Sequence, residues 1–284
     1  MNRRRFLPLL AAGCLAQEQQ QEWVCPMDPD VRSKSPGFCP RCGMKLVPAN
    51  AEISEYPLRV QVTPSDWRGG QKVSLRFEIL NPKTGARVQR LQLVHEKLFH
   101  LFIVSGDLTY FAHEHPQPQS DGTFTFETVL PKQGYYRLAA DFYPEGGTPQ
   151  LVVKTLISAD APLEPMEPPR LQADTGAKQC VNLTVSLTTE PAVPLAGLKT
   201  ILFFDLHPAN RLEPYLGVWG HLLVASADLI DLIHLHPFLA DGAKGKIQFN
   251  LVFPRPGMYR LWVQFQRDSL VNTAVFTIPV RELD

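Results

Sequence analysis

Short stretches of alternating polar and apolar residues run along most of the chain. Val73 to Ile79 and Val181 to Leu187 each place an apolar side chain at every second position, and Thr123 to Val129 alternates through Phe124 and Phe126, the period of a strand with one face on a core. Pro, Gly, Asn and Asp stand between such runs and end them in turns. Sustained helical spacing is absent. The pattern predicts a mainly β protein built of immunoglobulin-like sandwich domains.

The alternating region occurs twice. His100-Leu101-Phe102-Ile103-Val104-Ser105-Gly106-Asp107-Leu108, continuing to His113-Glu114-His115-Pro116, returns at an offset of 121. There it reads His221-Leu222-Leu223-Val224-Ala225-Ser226-Ala227-Asp228-Leu229, continuing to His234-Leu235-His236-Pro237. Further on, Gly134-Tyr135-Tyr136-Arg137-Leu138 matches Gly257-Met258-Tyr259-Arg260-Leu261 at an offset of 123, so the second copy carries a two-residue insertion. A fixed period of this kind marks a duplicated unit. The expected layout is an export signal over 1–16, a small module over 17–50, one sandwich over 51–160, a Pro-rich linker over 161–170 and a second sandwich over 171–284.

Each copy keeps its histidines. A two-residue turn at Gly106-Asp107 sets His100 opposite His113, and the same turn at Ala227-Asp228 sets His221 opposite His234. Directly opposed residues have Cβ atoms about 4.5–5.5 Å apart. His115 and His236 lie two residues further on, hence on the same face. Each hairpin thereby gathers an imidazole triad, His100, His113, His115 and His221, His234, His236, which suits Cu(II) or Zn(II). The other reading of each triad is a polar cluster that ties strands together without metal. His95 adds a donor to the first triad, with His207 as a loose counterpart in the second copy. His95-Glu96-Lys97-Leu98-Phe99-His100 is no zinc-protease motif, because its histidines are five residues apart rather than four.

Composition narrows the partners. The 28 basic and 28 acidic residues cancel, which gives no electrostatic footprint for nucleic acid. A nucleophile–base set and a Gly-rich phosphate loop are both missing. The expectation is therefore no enzyme activity. Lone Cys180 reads as a small buried hydrophobe.

The strongest chemical signal precedes the repeats. Cys25-Pro26-Met27-Asp28-Pro29 and Cys39-Pro40-Arg41-Cys42-Gly43-Met44 interleave thiols and thioethers, soft donors that favour Cu(I) or Zn(II) over Mg or Ca. Pro and Gly at these positions make a knuckle rather than a helix. A segment this short takes its order from an ion or a cross-link. The candidate ligands are Cys25, Cys39, Cys42, Met27, Met44 and Asp28. A Cys39–Cys42 disulfide or a metal-free knuckle is the competing reading.

These residues, from Trp23 to Pro48, resemble the heavy-metal-binding domain found at the N-terminus of copper-transporting ATPases and of membrane-fusion subunits of copper/silver efflux systems. That family usually carries Cys-Pro-Met-His-Pro, and here Asp28 stands in the place of the His. His95-Glu96-Lys97, the Ser105-Gly106-Asp107-Leu108 tip and His113-Glu114-His115-Pro116 are similar to YtkA-like extracytoplasmic domains over 56–157, and more weakly over 171–280. That resemblance implies an immunoglobulin-type sandwich and a loose link to copper handling.

Arg3-Arg4-Arg5 followed by an apolar run to Ala16 reads as an export signal and resembles a twin-arginine leader. Cleavage after Ala16 gives a soluble product. Lipidation of Cys14 gives an anchored one, the single route to a membrane. Both place the mature chain outside the cytoplasm, where unprotected thiols oxidise. The expected function is extracytoplasmic binding of a copper or zinc ion, or silver, for sequestration or transfer. The alternative is an interaction module docking on an efflux or envelope complex. A copper redox enzyme is a third idea, without a substrate pocket to support it.

Overall fold

The computed structural model describes residues 21–26, 29–40, 44–50, 54–162 and 167–283. The export signal with Cys14, and the candidate ligands Met27, Asp28 and Cys42, lie outside the described residues. Among the described residues the regular structure is antiparallel strand, apart from one 3-10 turn at Gly242–Lys244.

The first sandwich contains β1 (Leu58–Thr63), β2 (Lys72–Ile79), β3 (Phe99–Ser105), β4 (Phe111–Glu114), β5 (Phe124–Val129), β6 (Tyr135–Phe142) and β7 (Gln150–Ile157). One sheet runs β1-β2-β5, with the short strand Gln117–Pro118 at its edge. The other runs β7-β6-β3-β4. The second sandwich repeats this with β8 (Thr184–Glu190), β9 (Lys199–His207), β10 (His221–Ser226), β11 (Leu232–Leu235), β12 (Lys246–Val252), β13 (Gly257–Arg267) and β14 (Leu270–Val280). Its sheets are β8-β9-β12 and β14-β13-β10-β11, each extended by short strands. The expected strand over 181–187 begins three residues late, at Thr184. Cys180 N–H donates to the Leu183 carbonyl and turns Val181 out to solvent. Cys180 itself is partly buried against the second core.

Alternation sorts side chains between two kinds of core. On β3, Phe99, Leu101 and Ile103 enter the first sandwich with Tyr136, Leu138 and Ala140 of β6. Phe102 and Val104 point the other way. They join Ala139 and pack directly on Leu223, Ala225, Leu232 and Trp262 of the second sandwich. The two histidine-bearing sheets therefore lie face to face, and β3 and β10 are buried along their whole length. A strand buried on both faces reads as an unbroken apolar run instead of an alternating one.

The hairpin register differs from expectation. Phe102 pairs with His113 and Leu101 with Glu114. Leu223 pairs with His234 in the second copy. The tip is a four-residue loop: Ser105 N–H donates to the Tyr110 carbonyl, and Asp107 accepts from Thr109 N–H. Leu108, at φ 58°, and Leu229, at φ 54°, supply the left-handed step. His100 and His221 are consequently not opposite His113 and His234. The shift is two residues, and an even shift keeps every side chain on its face.

Trp262 stacks on Phe111 across the domains, with centroids 5.2 Å apart and planes 8° from parallel. Replacing Trp262 by Ala should cost about 3–5 kcal/mol, read as a lower urea midpoint for the whole chain. A loss below about 1 kcal/mol would mean that the face-to-face packing contributes little.

Candidate metal centre at the domain interface

Seven of the eight histidines meet between the two sheets; His207, at the end of β9, is exposed and stands apart. Each hairpin holds its own triad. The donor atoms of His100, His113 and His115 lie within 4.8 Å of one another, as do those of His221, His234 and His236. The triads also touch: the rings of His113 and His221 are 5.2 Å apart, and those of His100 and His221 are 5.8 Å apart. The 121-residue spacing of the repeat separates them into two sites, but the packing of the sheets brings them into one buried cluster.

Hydrogen bonds decide which nitrogens keep a lone pair. A carbonyl can only accept, so His100 Nε2 donates to Val94 O at 3.0 Å and His221 Nε2 donates to Tyr215 O at 3.1 Å. His234 Nδ1 donates to the Asp141 carboxylate at 2.6 Å, and His113 Nδ1 to Gln264 Oε1 at 2.8 Å. The remaining nitrogens then face each other as lone pairs. His100 Nδ1 is 3.1 Å from His113 Nε2, and His221 Nδ1 is 3.4 Å from His234 Nε2. Facing lone pairs repel unless an electrophile sits between them. Two nitrogens bound to one tetrahedral ion at about 2.0–2.1 Å are themselves about 3.3 Å apart. The spacing fits a metal ion in each hairpin. His115 Nε2, His95 Nε2 and both ring nitrogens of His236 are buried with no hydrogen-bond partner, an arrangement that is costly for polar groups and ordinary for ligands.

Asp141 and Gln264 were not legible as site residues. They occupy equivalent places in the repeat, at the offset of 123, and pair in the sheet with His100 and His221 respectively. Each reaches across the interface to a histidine of the other sandwich. Such partners fix the tautomer of a ligating imidazole and raise its basicity.

His95 also departs from expectation. It sits in a tight turn in which Val94 and Lys97 exchange backbone hydrogen bonds, and its ring lies 3.8 Å from His236 and 5.9 Å from His221. It belongs beside the second triad. Its counterpart is not His207 but Leu216, in the equivalent turn closed between Tyr215 and Val218.

The Cys-rich module rests on this region. Trp23–Val24 pairs with Arg32–Ser33 and Val47–Pro48. Buried Cys25, Cys39, Met44, Leu46 and Val47 pack around Tyr143, the residue after β6. A cavity of about 410 Å³ is bordered by Cys25, Pro26 and Pro29 on one side and by Asp141 and His234 on the other. The module thus forms one wall of a cavity that reaches His234 of the second triad.

Burial dominates the electrostatics. It lowers His95 and His100 to about 4 and His115 to about 3, with the neighbouring imidazoles adding to the effect. It pushes His113, His221 and His236 well below the usual imidazole range. Burial works to raise the Asp141 carboxyl, but the hydrogen bond from His234 together with the electrostatic pull of His234, His100 and His95 outweighs it and holds the group below the usual range. Neutral imidazoles near pH 7 are the form that binds metal.

Fold and site together define a tandem-sandwich protein with an imidazole cluster between its domains and a Cys-rich module above it. The family model described as a domain of unknown function, DUF8832, matches residues 51–157 and again 177–282, and the chain belongs to that family. Residues 22–49 match the heavy metal binding domain. A stretch of 33 residues is 48% identical to a copper-exporting P-type ATPase of Legionella pneumophila, 12% of this chain and only 4% of the ATPase. Among solved structures, the PmoD soluble domain from a Methylocystis species is 20% identical over 37% of this chain and 95% of its own, at a TM-score of 0.27. A two-domain fibronectin type III segment of chicken tenascin is 11% identical over 79% of this chain and 99% of its own, at 0.24. Superpositions at these scores carry no argument.

The neutral imidazoles predict a pH dependence for the metal-free protein. Unfolded imidazoles titrate near 6.5, whereas folded His95 and His100 titrate near 4, so the unfolded chain takes up protons first as pH falls. The stability from burying neutral rings is complete above pH 6.5 and is lost between 6.5 and about 4. Denaturant midpoints should drop steeply through that window. A flat profile would contradict neutral burial.

Proposed function

We propose that this chain is an extracytoplasmic heavy-metal-binding protein that sequesters copper or passes it on, without catalysing a reaction. The observation that carries the reading is the pair of facing, buried imidazole lone pairs at 3.1 and 3.4 Å beneath a module of the heavy metal binding family. The thiols of that module suit a soft monovalent ion, and the imidazoles suit Cu(II) or Zn(II). Copper is favoured over zinc by the segment it has in common with a copper-exporting ATPase. The arginine-rich, apolar first residues support export.

In this reading the ion is cargo. Cys25, Cys39 and Cys42 take a soft ion, and Met44 packs with Cys25 and Cys39. The triads hold an ion by nitrogen donors whose tautomers are set by Val94, Tyr215, Asp141 and Gln264. The buried faces of β3 and β10 keep water from the donors. An efflux or envelope protein that receives the ion belongs to the same proposal.

Replacing Cys25, Cys39 and Cys42 together by Ser should abolish Cu(I) binding at the module and leave Zn(II) or Cu(II) uptake by the histidines. Saturating metal should also raise the melting midpoint of that variant, by about 2.7 kcal/mol of stability at a hundredfold excess over Kd. Metal stoichiometry by elemental analysis checks the first part, and melting with and without metal checks the second. An unchanged Cu(I) count in the Ser variant would sink the reading.

A further inference from the structure

We infer that the two triads have diverged into unequal sites. His221, His234 and His236 hold a divalent ion more tightly than His100, His113 and His115, because the first sandwich contributes Asp141 and His95 to the second triad. The inference rests on the reading that the triads bind metal, and it goes beyond that reading by ranking them and naming the residues responsible.

The repeat supplies the comparison. Equivalent positions in the two copies share a sheet register, Asp141 with His100 and Gln264 with His221, so a difference in residue type there is a chemical difference at matched places. At the offset of 123 the position behind the cross-domain histidine is Asp141 for one triad and Gln264 for the other. The carboxylate stands 2.6 Å from His234 Nδ1, whereas the neutral amide stands 2.8 Å from His113 Nδ1. A carboxylate behind an imidazole places negative charge one ring away from the ion and makes the opposite nitrogen a better donor. An amide fixes the ring but supplies no charge.

At the offset of 121 the turn residue is His95 in the first sandwich and Leu216 in the second. His95 packs on His236, with its Nε2 buried and unpartnered. The second triad therefore has a fourth imidazole at hand, drawn from the other domain, while the first has an isobutyl group in the corresponding turn. Four-ligand sites are closed and retain their ion; three-ligand sites keep a position open for exchange.

Two further differences offset each other. Lys97 and Glu114 border the same cavity beside His115, and their counterparts are Val218 and Leu235. The ammonium disfavours a cation at the first triad and the carboxylate favours it. Asp141 and His95 decide the order.

The test uses the full chain with Cys25, Cys39 and Cys42 replaced by Ser, titrated with Zn(II) by calorimetry. His115→Ala leaves only the second triad intact, and the double substitution His234→Ala with His236→Ala leaves only the first. The His115→Ala protein should bind more tightly than the double variant. Asp141→Asn should weaken binding about 10–100-fold in the His115→Ala background and leave the double-variant background unchanged. His95→Leu should also weaken the former alone. Gln264→Glu is the reciprocal gain. In the double-variant background it should tighten binding, which a merely structural role for the position would not do. Melting of each variant without metal separates misfolding from lost affinity. Equal affinity of the two single-triad proteins, or an equal effect of Asp141→Asn on both, overturns the inference while leaving metal binding intact. No Zn(II) uptake by the parent protein would instead remove the reading beneath it.

Discussion

The structure depends on two sheets that bury their outer faces against each other. A sandwich normally buries one face of each sheet and leaves the other to water. Here β3 and β10 are covered on both sides, and the apolar part of the interface, Phe102, Val104, Leu223, Ala225 and Trp262, sets the spacing of everything around it. At one end of that interface the apolar side chains give way to imidazoles. Because the sheets are already held at packing distance, the rings enter a space from which water is largely excluded. Burial there lowers the proton affinity of His113, His221 and His236, and the ring nitrogens are left with one another and with Asp141 and Gln264.

The clasp is reciprocal. Asp141 belongs to the first sandwich and holds a histidine of the second, and Gln264 does the reverse. Neither triad is fully oriented by its own domain, so domain packing and donor geometry are one problem. Duplication explains how such an interface arises, since two copies of one sheet present self-complementary faces. Loss of strict equivalence then allows each half to be adjusted separately. Asp141 against Gln264 and His95 against Leu216 are adjustments of this kind, made at equivalent places in sheet and turn.

The Cys-rich module brings a different donor chemistry to the same region. Its small core closes around Tyr143, directly after the strand that carries Asp141, and its Cys25 borders the cavity that reaches His234. Soft sulfur and borderline nitrogen are thereby set on either side of one cavity, within a single chain.

Much of this was present in the order of residues. The period-two runs, the duplicated hairpin and its two triads, the two-residue insertion and the sulfur module follow from local spacing, which the chain carries without reference to its fold. Even the misjudged turn preserved the faces, because strand alternation survives an error of two residues. His100-Leu101-Phe102-Ile103-Val104, apolar on both faces, held the signal that this strand is covered twice. Tertiary structure alone decided that the triads meet, that His95 serves the other domain, and that Asp141 and Gln264 stand behind His234 and His113. Those relations join residues 93 to 151 positions apart, and no local periodicity encodes them. They arise from the packing of one sheet on another, where a side chain's partner is set by the surface it is pressed against.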